Sequence, residues 1–293
     1  MAIESDVLVI GGGLAGLTSA LAAARAGSDV RLVSATQSSL RAASGLVDVL
    51  GYTPAGDGPL SDPFAAMPAL PPEHPYRVVG VDAVREGLAL FDDVAPEYRG
   101  DHTDANALVA THGGTIKPTA RYPASVSAGL VSGGGDALLV GFETMVDFDA
   151  PRAAAHLDAA GVPFDVRGAT VRFPGDRRAD TTRAHYVELL DTNREVAVDG
   201  TERPIRSALA DRVAAELDGH DRVGFPALLG DDDADGVRAT LATRLEVDVF
   251  EIPTGPPSIP GLRLEDSLRS ALGETGASVE TGNPVVDYDG EDA

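Results

Sequence analysis

The sequence contains no cysteine, and its 293 residues carry 46 acidic side chains against 23 basic ones. Without thiols the chain has no disulfide, no thiolate nucleophile and no cysteine ligands for an iron–sulfur cluster. The formal net charge of −23 disfavours nucleic-acid binding, because such a field repels phosphate backbones. The acidic residues are spread along the chain, which is typical of proteins from a salt-rich cytoplasm, where screening keeps an acidic surface soluble.

Long apolar runs are also missing. No stretch of about 18 uninterrupted apolar residues occurs, so we expect no direct membrane span. The N-terminal residues lead into a strand pattern without a basic leader or a cleavage site, which predicts a soluble, cytoplasmic chain. With 43% hydrophobic residues, the chain is long enough to bury a substantial core and to form two domains.

The first motif with chemical content is a glycine pattern behind an apolar segment. Val7–Ile10 is short and rich in β-branched residues, which is typical of a buried strand. Gly11, Gly13 and Gly16 follow at G-x-G-x-x-G spacing, and after an alanine-rich segment Val30–Val33 indicates a second, parallel strand. In such a unit the glycines allow a tight turn, the close approach of a phosphate and close packing of the helix. The helix N-terminus then attracts the phosphate.

The second strand is not followed by the acid that such units use to bind a ribose 2′-OH. The position falls at Ser34, and the next residues are Ala35, Thr36 and Gln37. No arginine stands there for a 2′-phosphate either. The motif therefore predicts a phosphate-bearing cofactor, and it leaves flavin mononucleotide (FMN), a flavin dinucleotide (FAD) or a nicotinamide cofactor open.

Farther along the chain, helix and strand patterns alternate, which indicates an α/β protein with largely parallel sheets. We predict a Rossmann-like nucleotide-binding domain of the FAD/NAD(P) type with a second α/β domain inserted. Residues 1–60 would form its first part, residues 61–252 the inserted domain, and residues 253–293 an incomplete return. The predicted helices are Leu17–Ala26, Val81–Phe91, Arg152–Ala160, Ile205–Leu217, Gly236–Leu245 and Ser267–Leu272; the predicted strands lie within Leu138–Phe148, Pro163–Phe173, Val223–Leu229 and Val247–Ile252.

The incomplete return has a physical consequence. A parallel sheet of this type depends on neighbouring strands for hydrogen bonds and for cover on both faces. We therefore expect an open apolar strand edge. Either a longer gene encodes the segment that covers this edge, or a partner chain covers it.

Several stretches resemble one family, the B subunits of anaerobic glycerol-3-phosphate dehydrogenases. They are "VLVIGGGLAGLTSALAAARAG", "AASGLVDVL", "EHPYRVVG", "VGFETMVDFDA", "FPALLG" and "PTGPPSIPGLRLEDSL". The first is shared by many flavoproteins. The more specific matches are Ser44–Asp48, Glu73–Tyr76, Pro256–Ser258 and Gly261–Arg263.

The resemblance implies a flavin-dependent subunit that supports the oxidation of sn-glycerol 3-phosphate to glycerone phosphate. It implies FMN as the cofactor, with FAD as the alternative; FMN has no adenosine ribose, which agrees with the absence of an acid at Ser34. It also implies two partners, an A-type flavoprotein that oxidises the substrate and an iron–sulfur subunit that holds the pair at the membrane and passes electrons to quinone. Two alternatives stay open: a stand-alone flavin- or nicotinamide-dependent oxidoreductase on another small metabolite, and a non-catalytic scaffold.

Five residues are candidates for binding the cofactor near its phosphate. Gly11, Gly13 and Gly16 are expected to hold the phosphate itself. Ser44 and Gly45 would offer a hydroxyl and a close backbone approach to the pyrophosphate or the flavin, although Ser44 would serve equally as a helix cap.

Other candidates stand farther along the chain. Val285 would bring backbone groups near the nucleotide, with a plain core valine as the alternative. Arg263 would face an anion or the pyrimidine end of the flavin, with a surface arginine as the alternative. His74 and His185 are candidates for proton transfer, although either could be structural. The histidines do not show metal-ligand spacing, so we predict no bound metal, and no catalytic residue is assigned.

Overall fold

The computed structural model describes residues 4–175, 182–198, 200–255 and 257–287, and it is a mixed α/β structure. The helices are Leu14–Arg25 (α1), Pro63–Ala66 (α2), Pro75–Val79 (α3), Val81–Val94 (α4), Ala150–Ala159 (α5), Arg183–Thr192 (α6), Ile205–Ala214 (α7), Ala234–Leu245 (α8) and Ile259–Glu274 (α9). The strands are Val7–Ile10 (β1), Val30–Ser34 (β2), Tyr98–Arg99 (β3), Ala107–Ala110 (β4), Ile116–Thr119 (β5), Tyr122–Pro123 (β6), Ala137–Phe142 (β7), Val166–Val171 (β8), Glu195–Val198 (β9), Thr201–Pro204 (β10), Arg222–Pro226 (β11), Asp248–Ile252 (β12) and Ser278–Thr281 (β13).

The first sheet has the strand order β1-β2-β13, and both pairings are parallel. Its core is formed by Leu17 and Leu21 of α1, Leu32 of β2, and Leu268 and Leu272 of α9, all of them fully buried. The two helices pack against each other in this core through apolar residues that recur at helical spacing. Within the described residues β1 pairs with β2 alone, so its other edge carries no strand.

The second sheet has the order β12-β11-β7-β8, and its pairings are also parallel. The strands β7, β11 and β12 are buried almost throughout, as expected for a parallel sheet with helices on its faces, whereas the edge strand β8 is partly exposed. Leu138 and Val140 of β7 and Phe225 of β11 pack with Leu209 of α7 and Leu241 of α8. The alternating strands and helices make the structure mixed α/β, and the parallel β1–α1–β2 unit of the first sheet is consistent with an FAD-type Rossmann-like fold.

The segment between the two sheets packs with the first core. Phe64, Met67, Phe91 and Tyr98 are buried in the same apolar cluster as α1 and α9. The sequence pattern placed residues 61–252 in one inserted domain. The domain boundaries stay a prediction, and this packing favours a start for the inserted part beyond Tyr98.

Four predicted helices begin earlier than expected, α5 and α8 by two residues and the first and last by more. The first starts at Leu14 and not at Leu17, because Gly13 is its N-cap and the Leu17 N–H donates to the Gly13 carbonyl at 2.9 Å. The last covers Ile259–Glu274, because the Ser258 hydroxyl caps it and a proline is tolerated in its first turn. The helix α6 and the hairpins β4–β5 and β9–β10 were not predicted.

No helix in the described ranges has the length and apolar character needed to cross a membrane.

We expect the free energy of unfolding to rise with salt. The net charge of −23 produces mutual repulsion, and the screening length falls from about 30 Å at 0.01 M salt to about 3 Å at 1 M. Thermal unfolding in dilute buffer and in molar potassium chloride measures the effect, and tetramethylammonium chloride at equal ionic strength separates screening from specific potassium binding. A midpoint that does not increase would contradict the halophilic interpretation of the charge.

Candidate cofactor site

The carboxyl end of β1 leads into the glycine loop (residues 11–13) and then into α1. Gly11 has a φ of +112°, a conformation that favours glycine, and its N–H donates to the Val33 carbonyl at 2.8 Å. This bond ties the loop to β2. A Cβ on Gly16 would lie 1.8 Å from the Gly11 carbonyl oxygen, so α1 packs directly against the loop. The G-x-G-x-x-G pattern therefore forms the strand–loop–helix turn that its spacing predicts.

The N-terminus of α1 is suited to an anion. Gly13 caps it without a side-chain hydrogen bond, and its first turn contains no acidic residue. A Cβ on Gly13 would meet only the Ser39 hydroxyl, at 3.1 Å, so the space beside Gly13 at the start of the helix is open. These N–H groups and the helix dipole favour a phosphate there. The residues present thus fit the phosphate of a nucleotide or flavin cofactor.

The end of β2, where an acid was missing from the sequence, carries hydroxyl groups. Ser34 is buried, and its hydroxyl donates to the Thr36 carbonyl at 3.1 Å and lies 3.5 Å from the Thr281 hydroxyl on β13. The neighbouring acid on β13 is Glu280, and Arg31 forms an ion pair with it. A carboxylate is therefore present one strand away, but a protein cation already binds it.

Ser44 and Gly45 lie in a turn packed against α9. Gly45 has a φ of +77°, and a Cβ there would lie 2.5 Å from the Cβ of Pro260. The Tyr98 hydroxyl donates to the Gly45 carbonyl at 2.7 Å. The Ser44 hydroxyl accepts from the Leu46 N–H at 3.4 Å and caps no helix. A role for these two residues toward the cofactor stays a prediction.

Arg263 binds a buried carboxylate. Its Nη1 donates to Glu251 Oε2 at 2.7 Å, its Nη2 donates to the Gly230 carbonyl, and Glu251 is 1% exposed. The Leu229 N–H donates to Glu251 Oε1 at 2.8 Å. Burial alone would raise the pKa of Glu251, but the charge and hydrogen bonds of Arg263 hold that pKa below its usual range. Arg263 is therefore a partner of Glu251, and its contact with a cofactor stays a prediction.

The remaining candidates lie in different surroundings. Val285 follows β13 and is 43% exposed, so the alternative of a core valine is wrong. His74 caps α3, where its Nδ1 accepts from the Tyr76 N–H at 3.2 Å, and this is a structural contact. His185 lies in the first turn of α6. Pro256, from one of the more specific sequence stretches, lies outside the described residues. Across the described part of the chain, no three His, Asp or Glu side chains are grouped to hold a metal ion.

A cavity of about 340 Å³ is lined by Arg263 and by Tyr98 and Pro260. Burial raises the pKa of Asp231 in its wall, although Arg263 acts in the opposite direction. Carboxylates outnumber guanidinium groups in the lining. The charged lining residues are Glu97, Asp231, Asp232, Asp233, Asp235, Arg99, Arg238 and Arg263.

Sequence reasoning missed one charged cluster next to the glycine loop. Glu265 and Arg269 of α9 form an ion pair at 2.7 Å, and Arg41 binds the same carboxylate at 2.9 Å. The spacing of four residues between Glu265 and Arg269 was a signal for their pairing on one helix face. No local signal connects them to Arg41.

Nearly the whole chain is similar to known proteins. The profile of the FAD binding domain matches residues 6–292. The probable anaerobic glycerol-3-phosphate dehydrogenase B subunit of Halobacterium salinarum is 68% identical over 289 residues, which cover 99% of this chain and 68% of that protein. The anaerobic glycerol-3-phosphate dehydrogenase B subunit of Pectobacterium atrosepticum is 33% identical over 291 residues, 96% of this chain and 67% of that one.

The corresponding protein of Vibrio cholerae is 30% identical over 301 residues, which cover 97% of this chain and 66% of that protein. No solved structure shows a significant match. The glycine loop, the FAD binding domain profile and the relatives agree. The chain belongs to the family of anaerobic glycerol-3-phosphate dehydrogenase B subunits, within the proteins that contain an FAD binding domain.

Proposed function

We propose that this chain is a flavin-binding oxidoreductase subunit of an anaerobic glycerol-3-phosphate dehydrogenase. The observation that carries the proposal is the N-terminus of α1, which no side chain caps, directly behind the glycine loop, in a chain whose residues 6–292 match the FAD binding domain. A bound flavin supplies a reversible acceptor of two electrons. The chain's part is to hold the phosphate with the N–H groups of Gly13 and of the first turn of α1, whereas Gly11, whose N–H donates to the Val33 carbonyl, shapes the turn.

The choice between the two flavins is a finer proposal. The absence of a carboxylate at Ser34 supports FMN, which has no adenosine ribose. The match to the FAD binding domain supports FAD. We keep FMN as the proposal and FAD as the alternative, and titration with each of them distinguishes the two.

We further propose that the chain supports the oxidation of sn-glycerol 3-phosphate to glycerone phosphate by an A-type flavoprotein. It would stabilise that partner or relay its electrons toward an iron–sulfur subunit and quinone. The relatives are named as B subunits, and the sequence contains no cysteine, so cysteine ligands for a cluster have to come from outside these residues. The excess of carboxylates in the cavity beside Arg263 disfavours a phosphate substrate there. These observations support a role beside the substrate-oxidising flavoprotein.

The domain organisation is part of this proposal. The first sheet would be the nucleotide-binding domain, and the second sheet with its helices would be the inserted α/β domain. Residues 253–287 would return the chain to the first sheet, through α9 and β13; residues 288–293 of the predicted return lie outside the described residues.

We expect the chain, purified in molar potassium chloride, to retain a flavin or to rebind added FMN or FAD. The flavin absorbance spectrum and the quenching of flavin fluorescence measure this binding. A chain that binds neither flavin would contradict the proposal and favour the scaffold alternative. Turnover of a small metabolite without any A-type partner would favour a stand-alone oxidoreductase instead.

A further inference from the structure

A buried carboxylate holds two arginines beside the glycine loop. Glu265 is 2% exposed, and its two oxygens accept hydrogen bonds from different residues. Arg41 donates through Nε to Oε2 at 2.9 Å, and Arg269 donates through Nε to Oε1 at 2.7 Å. One carboxylate between two guanidinium groups leaves a net charge of +1 in a protein whose total charge is −23.

Both arginines are next to the place where a cofactor phosphate would bind. A Cβ on Gly12 would lie 3.6 Å from Arg269 Nη2, so this guanidinium borders the glycine loop. Arg41 belongs to a short 3-10 helix that begins at Ser39, whose hydroxyl lies 3.1 Å from the position of a Cβ on Gly13. The two cations therefore belong to the elements that border the open space over α1.

The terminal nitrogens of both arginines are available for a ligand. Each uses Nε for Glu265, and within the described part of the chain neither donates a hydrogen bond from Nη1 or Nη2. Their side chains are 44% and 26% exposed, for Arg41 and Arg269 respectively. A guanidinium group with free terminal nitrogens matches the geometry of phosphate oxygens and binds them with charge-assisted hydrogen bonds.

We infer that Arg41 and Arg269 bind the phosphate of the flavin cofactor together with the glycine loop. The inference rests on the proposed function, because it requires a flavin at this site. Glu265 holds both guanidinium groups in place and limits their side-chain freedom. These arginines supply local positive charge that the rest of this acidic chain lacks, and they discriminate a phosphorylated flavin from riboflavin.

The test compares three flavins that differ in phosphate. Riboflavin, FMN and FAD are titrated against the wild-type chain and the variants Arg269→Gln and Arg41→Gln, at one ionic strength. Each substitution should weaken FMN and FAD binding by about 10- to 100-fold, the effect of losing charge-assisted hydrogen bonds. Riboflavin binding should be unchanged. Arg152→Gln is the matched control, because Arg152 is 71% exposed and pairs with Asp149 in its own helix turn.

A second measurement needs no variant. The affinity of the wild-type chain for FMN should fall as potassium chloride increases, whereas its affinity for riboflavin should not. Arginine variants that bind FMN as tightly as the wild type, or that weaken riboflavin equally, would overturn the inference and leave the proposed function intact. A folded wild-type chain that binds none of the three flavins would overturn the proposed function and the inference with it.

Discussion

Replacing Glu251 with glutamine should lower the free energy of unfolding by about 3–5 kcal/mol, the usual effect of breaking a buried ion pair. The carboxylate is 1% exposed and is the counterion of Arg263 at 2.7 Å. Removing its charge leaves the guanidinium group without compensation in a poorly solvated place. Denaturant unfolding in molar salt, followed by circular dichroism, measures the change.

The matched control is Asp235→Asn, because Asp235 is 91% exposed and pairs with Arg238 across a single helix turn. We expect this control to cost less than about 1 kcal/mol, as exposed ion pairs do. The double variant Glu251→Leu with Arg263→Met removes both buried charges and should recover part of the loss. Recovery would be incomplete, because the Leu229 N–H and the Gly230 carbonyl lose their partners. If Glu251→Gln and Asp235→Asn lowered the free energy of unfolding equally, the burial of the Glu251–Arg263 ion pair would be contradicted.

The same pair makes a pH-dependent contribution to stability. Burial acts to raise the pKa of Glu251, but Arg263 holds it below the ordinary value of 4.5 in the folded state. A group with a depressed folded pKa stabilises the protein above its unfolded pKa, and this stabilisation is lost as the pH falls toward the folded pKa. The difference between wild type and Glu251→Gln should therefore be full near neutral pH and shrink below about pH 4.5.

Replacing Gly13 with valine should weaken FMN or FAD binding by about 100-fold or more, because the side chain would keep the phosphate away from the N–H groups at the start of α1. Gly13 has a φ of −84° and a ψ of −173°, which a β-branched residue adopts readily. Its Cβ would meet only the exposed Ser39 hydroxyl, at 3.1 Å. The side chain would fill the space over α1, while the fold loses only about 1 kcal/mol from the poorer helix cap.

Gly273→Val is the control for a valine added elsewhere in the chain. Gly273 lies in α9, and a Cβ there would meet nothing within 4 Å, so flavin binding should be unchanged. Gly16→Ala offers a contrast, because its Cβ would lie 1.8 Å from the Gly11 carbonyl oxygen and would disturb the fold itself. If complexes with the partner subunits form and transfer electrons normally with Gly13→Val, the scaffold alternative is favoured.

Local features of this protein follow from the sequence because they depend on neighbouring residues. The unit β1–loop–α1–β2 was predicted from apolar spacing and three glycines, and its parallel pairing is confirmed. The acidic surface, the absence of thiol chemistry and the resemblance to one enzyme family are likewise readable from the chain. These features need no knowledge of which distant residues meet.

The surroundings of the glycine loop are decided by tertiary structure. Arg41 and Glu265 are 224 positions apart in the sequence. The strand β13 pairs with β2 although all strands of the second sheet lie between them in the sequence. Arg263, predicted to face an anion, neutralises the buried carboxylate of Glu251 on β12, and its contact with a cofactor stays a prediction. A charge pattern specifies pairs within one helix turn, but the pairing of distant charges is set by how the apolar faces of the helices and sheets pack together.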